Sequence, residues 1–171
     1  MLQPKSNRGK LEAGGFKFAI VESRWNDFLT SRMTQGALET LEELGANEKD
    51  VEIFSVPGSF ELALTAKKVA EKNEFDAVIC IGVIIRGETP HFDYVAGQAA
   101  KGIGQVSLET GIPVLFGVIT ADTLEQALNR AGVKSGNKGV EAANAAVEIV
   151  NLYKDIGGGK KLDDKAFPHA V

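Results

Sequence analysis

The segment RGETPHFDYV, residues 86–95, follows the apolar run DAVICIGVII and sets Arg86, Glu88, His91 and Asp93 within eight positions. Ionisable groups crowded at the exit of a buried run suit the handling of an anionic substrate. His91, one of only two histidines, is the natural proton carrier near neutral pH. Gly87 allows a turn, and Pro90 suits the first position of a helix. Backbone N–H groups near Glu88 and Thr89 would then face outward at a helix N-terminus, a ready phosphate site. The Glu88 carboxylate must point away for this to work. The plainer reading is a solvated loop before a helix, since sites rather than single residues carry function.

Three other clusters invite the same question. Trp25, the only tryptophan, either caps a sheet edge or offers its face to a planar ligand; Asn26 follows it. In VPGSFE (56–61), Ser59 can cap a helix and Glu61 falls in its first turn, where negative charge is favoured. Alternatively, free backbone N–H groups and the Ser59 hydroxyl line a polar pocket floor. In NRAGVKSGNKGVEAA (129–143), Arg130 could grip a phosphate with paired donors. Lys138 and Glu141, three apart, could form an ordinary exposed ion pair. There is no GxGxxG after the first strand and no GxxxxGK[ST], so a dinucleotide or nucleoside triphosphate site is poorly supported.

The elements that must hold these clusters alternate. FKFAIV (16–21), VEIFSV (51–56), FDAVICIGVII (75–85) and IPVLFGVIT (112–120) read as strands, the last two buried on both faces. Helical spacing runs from Asn26 to Gly45 through Leu29, Met33, Ala37 and Leu41, and again from Leu62 to about Asn73. Further helices span about Pro90 to Thr110, Thr123 to Ala131 and Lys138 to about Lys154. This order predicts a parallel sheet covered by helices on both faces, because parallel neighbours need right-handed crossovers. Trp25 and Asn26, PGSFE, RGETPH and TADT then follow the four strands in turn, all at the carboxyl edge where open α/β sheets bind ligands. The last helix carries two apolar stripes: Val140, Ala143, Val147 and Val150, then Ala142, Ala146, Ile149 and Tyr153. A surface helix needs only one, so the second is expected to bury against a partner.

Composition narrows the classes. A chain of 171 residues with 44% apolar and 25% charged residues reads as one globular domain. A formal charge of -4 argues against nucleic acid as a partner. Cys80, the single cysteine, reads as a buried inert thiol. The start lacks the apolar core of a secretory signal, and no apolar run is long enough to span a membrane. A cytoplasmic protein is expected. Residues 1–15 form an N-terminal extension, 16–154 the domain, and 155–171 a flexible C-terminal tail; both ends are expected to be loosely held.

RWND, VPGSFE, GVIIRGETPHFDYVA, VLFGVITADTLEQALNRAG and GNKGVEAA together closely resemble the lumazine synthase family, in order from about Phe16 to Tyr153. The resemblance implies a flavodoxin-like three-layer α/β/α sandwich around a four-stranded parallel sheet, in agreement with the reading above. It also implies a transferase of riboflavin biosynthesis that condenses 5-amino-6-(D-ribitylamino)uracil with 3,4-dihydroxy-2-butanone 4-phosphate, giving 6,7-dimethyl-8-ribityllumazine, phosphate and water. No cofactor and no metal is implied. By this resemblance Trp25, where many members have phenylalanine, stacks on the pyrimidine beside Asn26. Ser59, Phe60 and Glu61 hold the ribityl chain and ring, and Val83, Ile84 and Ile85 offer backbone groups to the ring. Glu88 and Thr89 match the phosphate loop, Arg130 the phosphate-binding arginine, and His91 the proton-transfer residue. Phe116 and Lys138 match ring contacts that, with Arg130, come from the neighbouring subunit. Members form homopentamers or icosahedral shells of pentamers; the short RAGVKSGNKG spacing points to the shell.

Overall fold

The two central strands send alternate side chains into two separate cores. In a computed structural model, which describes residues 2–157, β1 (Phe18–Ser23) points Phe18 and Ile20 to one side and Ala19 and Val21 to the other. β3 (Ala77–Ile85) does the same, with Ile79, Ile81 and Val83 opposed to Val78, Cys80 and Ile84. That is the period of two expected of a strand covered on both faces. β2 (Val51–Val56) and β4 (Val114–Ala121) flank them. The four-stranded sheet has the order β2-β1-β3-β4 and every pairing is parallel.

Helices supply the outer layers. α1 (Asp27–Glu43) buries Leu29, Met33, Ala37 and Leu41, one stripe at helical spacing, and the chain leaves it through Gly45 at φ 99°. α4 (Leu124–Arg130) and α5 (Lys138–Ile156) share that face of the sheet. α2 (Leu62–Glu71) and α3 (His91–Thr110) cover the other. The result is the expected three-layer α/β/α sandwich, flavodoxin-like in its layers and parallel sheet. The first strand lies two residues later than its apolar run predicts, at 18–23 rather than 16–21.

Two expectations need correction. Ala142 and Ala146, assigned to a partner-facing stripe, are buried within the chain. Gly117 of β4 lacks a side chain where Ala142 approaches; an added Cβ would lie 3.2 Å from the Ala142 methyl. The helix therefore sits close enough to the sheet to bury a broad face, leaving Ile149 half-buried and Tyr153 exposed.

Residues 8–13 are also not loose. Arg8 Nε donates to Glu148 at 2.8 Å, Asn151 Nδ2 donates to the Glu12 carbonyl at 2.9 Å, and Ala13 N–H donates to the Leu44 carbonyl at 2.8 Å. Gly9 lies against the backbone of α5, where a Cβ would come within 1.8 Å of the Glu148 carbonyl oxygen. These ties run through backbone groups and isolated side chains, so no hydrophobic period announces them. Asp155 and Ile156, assigned to the predicted tail, close α5 instead, and the tail from residue 158 onward falls outside the described residues.

Candidate active site

A cavity of about 690 Å³ opens at the carboxyl ends of β1 and β3. The exit of β1 contributes Trp25 and Asn26, the β2–α2 turn contributes residues 57–61, and the end of β3 contributes Val83, Ile84 and Ile85. Gly87, Thr89 and His91 complete it from the start of α3. Of the predicted residues, Trp25, Asn26, Ser59, Phe60, Glu61, the three β3 residues, Thr89 and His91 meet here.

Local chemistry fixes each wall. Asn26 adopts the left-handed conformation (φ 63°), which asparagine tolerates better than most residues. Its Nδ2 donates to the Val83 carbonyl at 3.0 Å, tying the start of α1 to β3. Trp25 N–H donates to the Pro57 carbonyl at 3.1 Å, continuing the pairing of β1 with β2 beyond the strands themselves. The Trp25 side chain is 72% exposed, so its ring is open to a ligand rather than packed as a cap. The Glu61 carboxylate accepts the Gly58 N–H at 2.9 Å, closing the turn. Ser59 does not act as the predicted N-cap. It opens a short 3-10 turn (Ser59–Glu61), and its hydroxyl is buried without a partner among the described residues.

His91 is the first residue of α3 and is exposed, free to approach a ligand and solvent alike. Glu88, expected in the phosphate loop, is not among the residues that line the cavity. Arg86 instead braces the loop. Its Nε donates to Asp122 at 2.8 Å, its Nη1 lies 3.1 Å from Asp93 Oδ1, and its guanidinium sits 4.0 Å from the Phe92 ring centroid. The hydrogen bond to Asp122, and less strongly that to Asp93, raises the Arg86 pKa further. Both cation partners are thus committed to structure.

Among the described residues, the cavity wall therefore carries the Glu61 carboxylate and His91, and no lysine or arginine. The predicted cation is elsewhere. Arg130 lines a second cavity of about 410 Å³ with Ile119, Thr120, Ala121, Gln126, Asn129 and Ser135. Phe116 faces out from edge strand β4 and is 44% exposed. It stands in the row Phe54–Val21–Cys80–Phe116, well short of the strand end marked by the Ile85–Ala121 pairing. Lys138 starts α5 and pairs with Glu141. Neither Phe116 nor Lys138 lines either cavity, so one chain by itself does not bring the predicted residues together.

Sequence reasoning passed over Phe92, Tyr94 and Val95, which also line the first cavity. Tyr94 and Val95 lie three and four positions beyond His91, and that helical spacing puts them on its face. Cys80 is fully buried, and desolvation pushes its thiol up to about 12, so it is no nucleophile. Among the described residues, no cluster of three or more His, Cys, Asp or Glu is placed to hold a metal, and no helix is long and apolar enough to cross a membrane.

The profile of the 6,7-dimethyl-8-ribityllumazine synthase family matches residues 15–154. A 6,7-dimethyl-8-ribityllumazine synthase from Syntrophus aciditrophicus (strain SB) is 53% identical over 153 residues, covering 90% of this chain and 99% of the relative.

Proposed function

The chain belongs to the 6,7-dimethyl-8-ribityllumazine synthase family and is a transferase; on that premise we propose that it condenses 5-amino-6-(D-ribitylamino)uracil with 3,4-dihydroxy-2-butanone 4-phosphate. The observation that carries the reading is the division of the site. The first cavity has a stacking face at Trp25, a polar turn at 57–61 and a proton carrier at His91, but among the described residues no cation for a phosphate. Arg130, the residue suited to that phosphate, opens onto a different cavity and forms no ion pair among the described residues.

In this account the pyrimidine lies on Trp25, with its ribityl chain along Ser59, Phe60 and Glu61 and its ring edge against the backbone of Val83 to Ile85. The ketone phosphate sits by Thr89 and the start of α3, gripped by Arg130 of a neighbouring subunit. The substrate amine attacks the ketone, and water leaves as the imine forms. Phosphate is then eliminated, the resulting enol tautomerises to a ketone, and attack on it by the ribitylamino nitrogen closes the ring with loss of a second water, giving the lumazine. The reactants bring their own reactivity, so holding them in register is the protein's main contribution. His91 carries protons between substrate and solvent. Arg130 places the ketone and neutralises the departing phosphate.

The assembly that delivers Arg130 is a homopentamer, and the short turn between α4 and α5 favours a shell of pentamers. Exposed apolar side chains at Phe116 and along α3, where Tyr94 is 73% and Leu108 89% exposed, support such contacts. Mixing the purified protein with both substrates and following lumazine absorbance tests the activity. Product formed in proportion to enzyme is expected; binding of both substrates without product would overturn the reading.

A further inference from the structure

Two buried hydroxyls beneath the first cavity have no hydrogen-bond partner among the described residues. Ser23 is 0% exposed and Ser59 is 5% exposed. Among the described residues, their Oγ atoms are the buried side-chain polar atoms without a hydrogen-bond partner. Other covered hydroxyls are satisfied: Thr34 Oγ1 donates to Glu22 at 2.7 Å, and Thr40 Oγ1 donates to the Gly36 carbonyl at 2.7 Å. Buried polar groups in native proteins are nearly always paired, so an exception calls for a reason. Here two exceptions are neighbours.

Gly82 brings them together. A Cβ on Gly82 would lie 2.6 Å from Ser59 Oγ and 3.4 Å from Ser23 Oγ, so both hydroxyls face the same small space above that glycine. Ser59 lines the cavity, whereas Ser23, the last residue of β1, does not. Ser23 is therefore one layer behind the ligand. A hydroxyl offers one donor and two acceptor sites. When rotation about χ1 lets Ser23 donate to Ser59 Oγ, the Ser59 hydrogen is left to point into the cavity, and the two bonds polarise one another in the same sense.

We propose that Ser23 is a positioning residue of the site: acting through Ser59, across the gap left by Gly82, it turns the Ser59 hydroxyl into an oriented donor for the polyhydroxylated chain of the pyrimidine substrate. This rests on the reading of the cavity as the pyrimidine site. The fold gains nothing from either hydroxyl as it stands, and the return comes when a ligand completes the chain.

The test is a double-mutant cycle on the full assembly, using Ser23→Ala, Ser59→Ala and the double variant, with kcat, KM for the ribitylaminouracil and Tm measured for each. Ser23→Ala should raise that KM about three- to tenfold, with kcat changing less than about twofold and Tm no lower than wild type. The double variant should be no worse than Ser59→Ala, because Ser23 acts only through its neighbour. A purely structural role would instead lower Tm and leave KM alone, and that result overturns the proposal. So does a Ser23→Ala enzyme with wild-type KM, or losses that simply add. Should Ser23→Ala not fold, Ser23→Cys, close in shape but a much weaker donor, must raise the same KM, and a wild-type KM in that variant overturns the proposal. Wild-type enzyme is assayed in parallel: its failure to make lumazine would defeat the functional reading itself, whereas an active wild type with an indifferent Ser23 defeats only this inference.

Discussion

Arg86, just past the end of β3, grips Asp93 in the first turn of α3, its Nη1 3.1 Å and 3.2 Å from the two carboxylate oxygens. The same guanidinium reaches Asp122 beyond β4 at 2.8 Å. A planar fork can serve both acids at once; a lysine cannot. Arg86 thus fixes where α3 begins, and with it His91 and Thr89. Arg86→Ala is expected to lower kcat/KM by roughly tenfold while moving Tm little, since exposed ion pairs contribute little to stability. Arg86→Lys should recover only part of the loss. Steady-state kinetics beside thermal melts would decide it; a large fall in Tm with unchanged kinetics would make the brace purely structural.

Trp25 should report occupancy. It is the only tryptophan and its ring is exposed at the cavity mouth, so a stacked pyrimidine should quench its fluorescence saturably. An unchanged spectrum, under conditions where calorimetry records binding, would remove Trp25 from the site.

Arg130→Ala is expected to be far more damaging than His91→Ala. Losing a charge-assisted contact to phosphate costs roughly tenfold or more, felt mainly in KM for the ketone phosphate. Solvent can partly replace His91, which is exposed. Kinetics with a nearly dead His91→Ala and a mildly impaired Arg130→Ala would contradict a mechanism dominated by positioning.

The N-terminal arm offers a test through stability. The hydrogen bond from Arg8 holds the Glu148 pKa below its ordinary value of about 4.5. A depressed carboxylate stabilises the fold above its unfolded pKa and loses that contribution as pH falls through the folded one. The arm should therefore loosen below about pH 4.5, with more release at high salt because the pair is exposed. Gly9→Ala should release it at any pH, since the new methyl would meet the Glu148 carbonyl. Limited proteolysis checks both; equal protection of wild type and Gly9→Ala would show that the arm is held by other contacts.

Much of this was legible in the sequence because it rests on period and punctuation. The continuous apolar runs gave the buried strands, and the Leu29, Met33, Ala37 and Leu41 spacing gave α1. The strand-end clusters were found because a parallel sheet puts all carboxyl ends on one edge. What stayed hidden depends on close approach rather than on pattern. The burial of Ala142 needs the missing side chain of Gly117, and the docking of Gly9 needs a bare backbone on α5. The fork of Arg86 joins residues 7 and 36 positions apart, and no local spacing marks it. The Ser23 hydroxyl looks like an ordinary strand end until Gly82 and Ser59 are placed beside it.

The central claim, that the cation of one chain completes the cavity of another, is tested most directly by complementation. Trp25→Ala damages the first cavity and Arg130→Ala the second, and each variant alone should be severely impaired. After the two are dissociated, mixed in equal amounts and reassembled, roughly a quarter of the junctions in a cyclic ring should pair an intact first cavity with an intact Arg130. The account predicts lumazine formation well above the mean of the two parents, rising with the extent of subunit exchange. Fully mixed assemblies that regain nothing above that mean would place every group on one chain and contradict it.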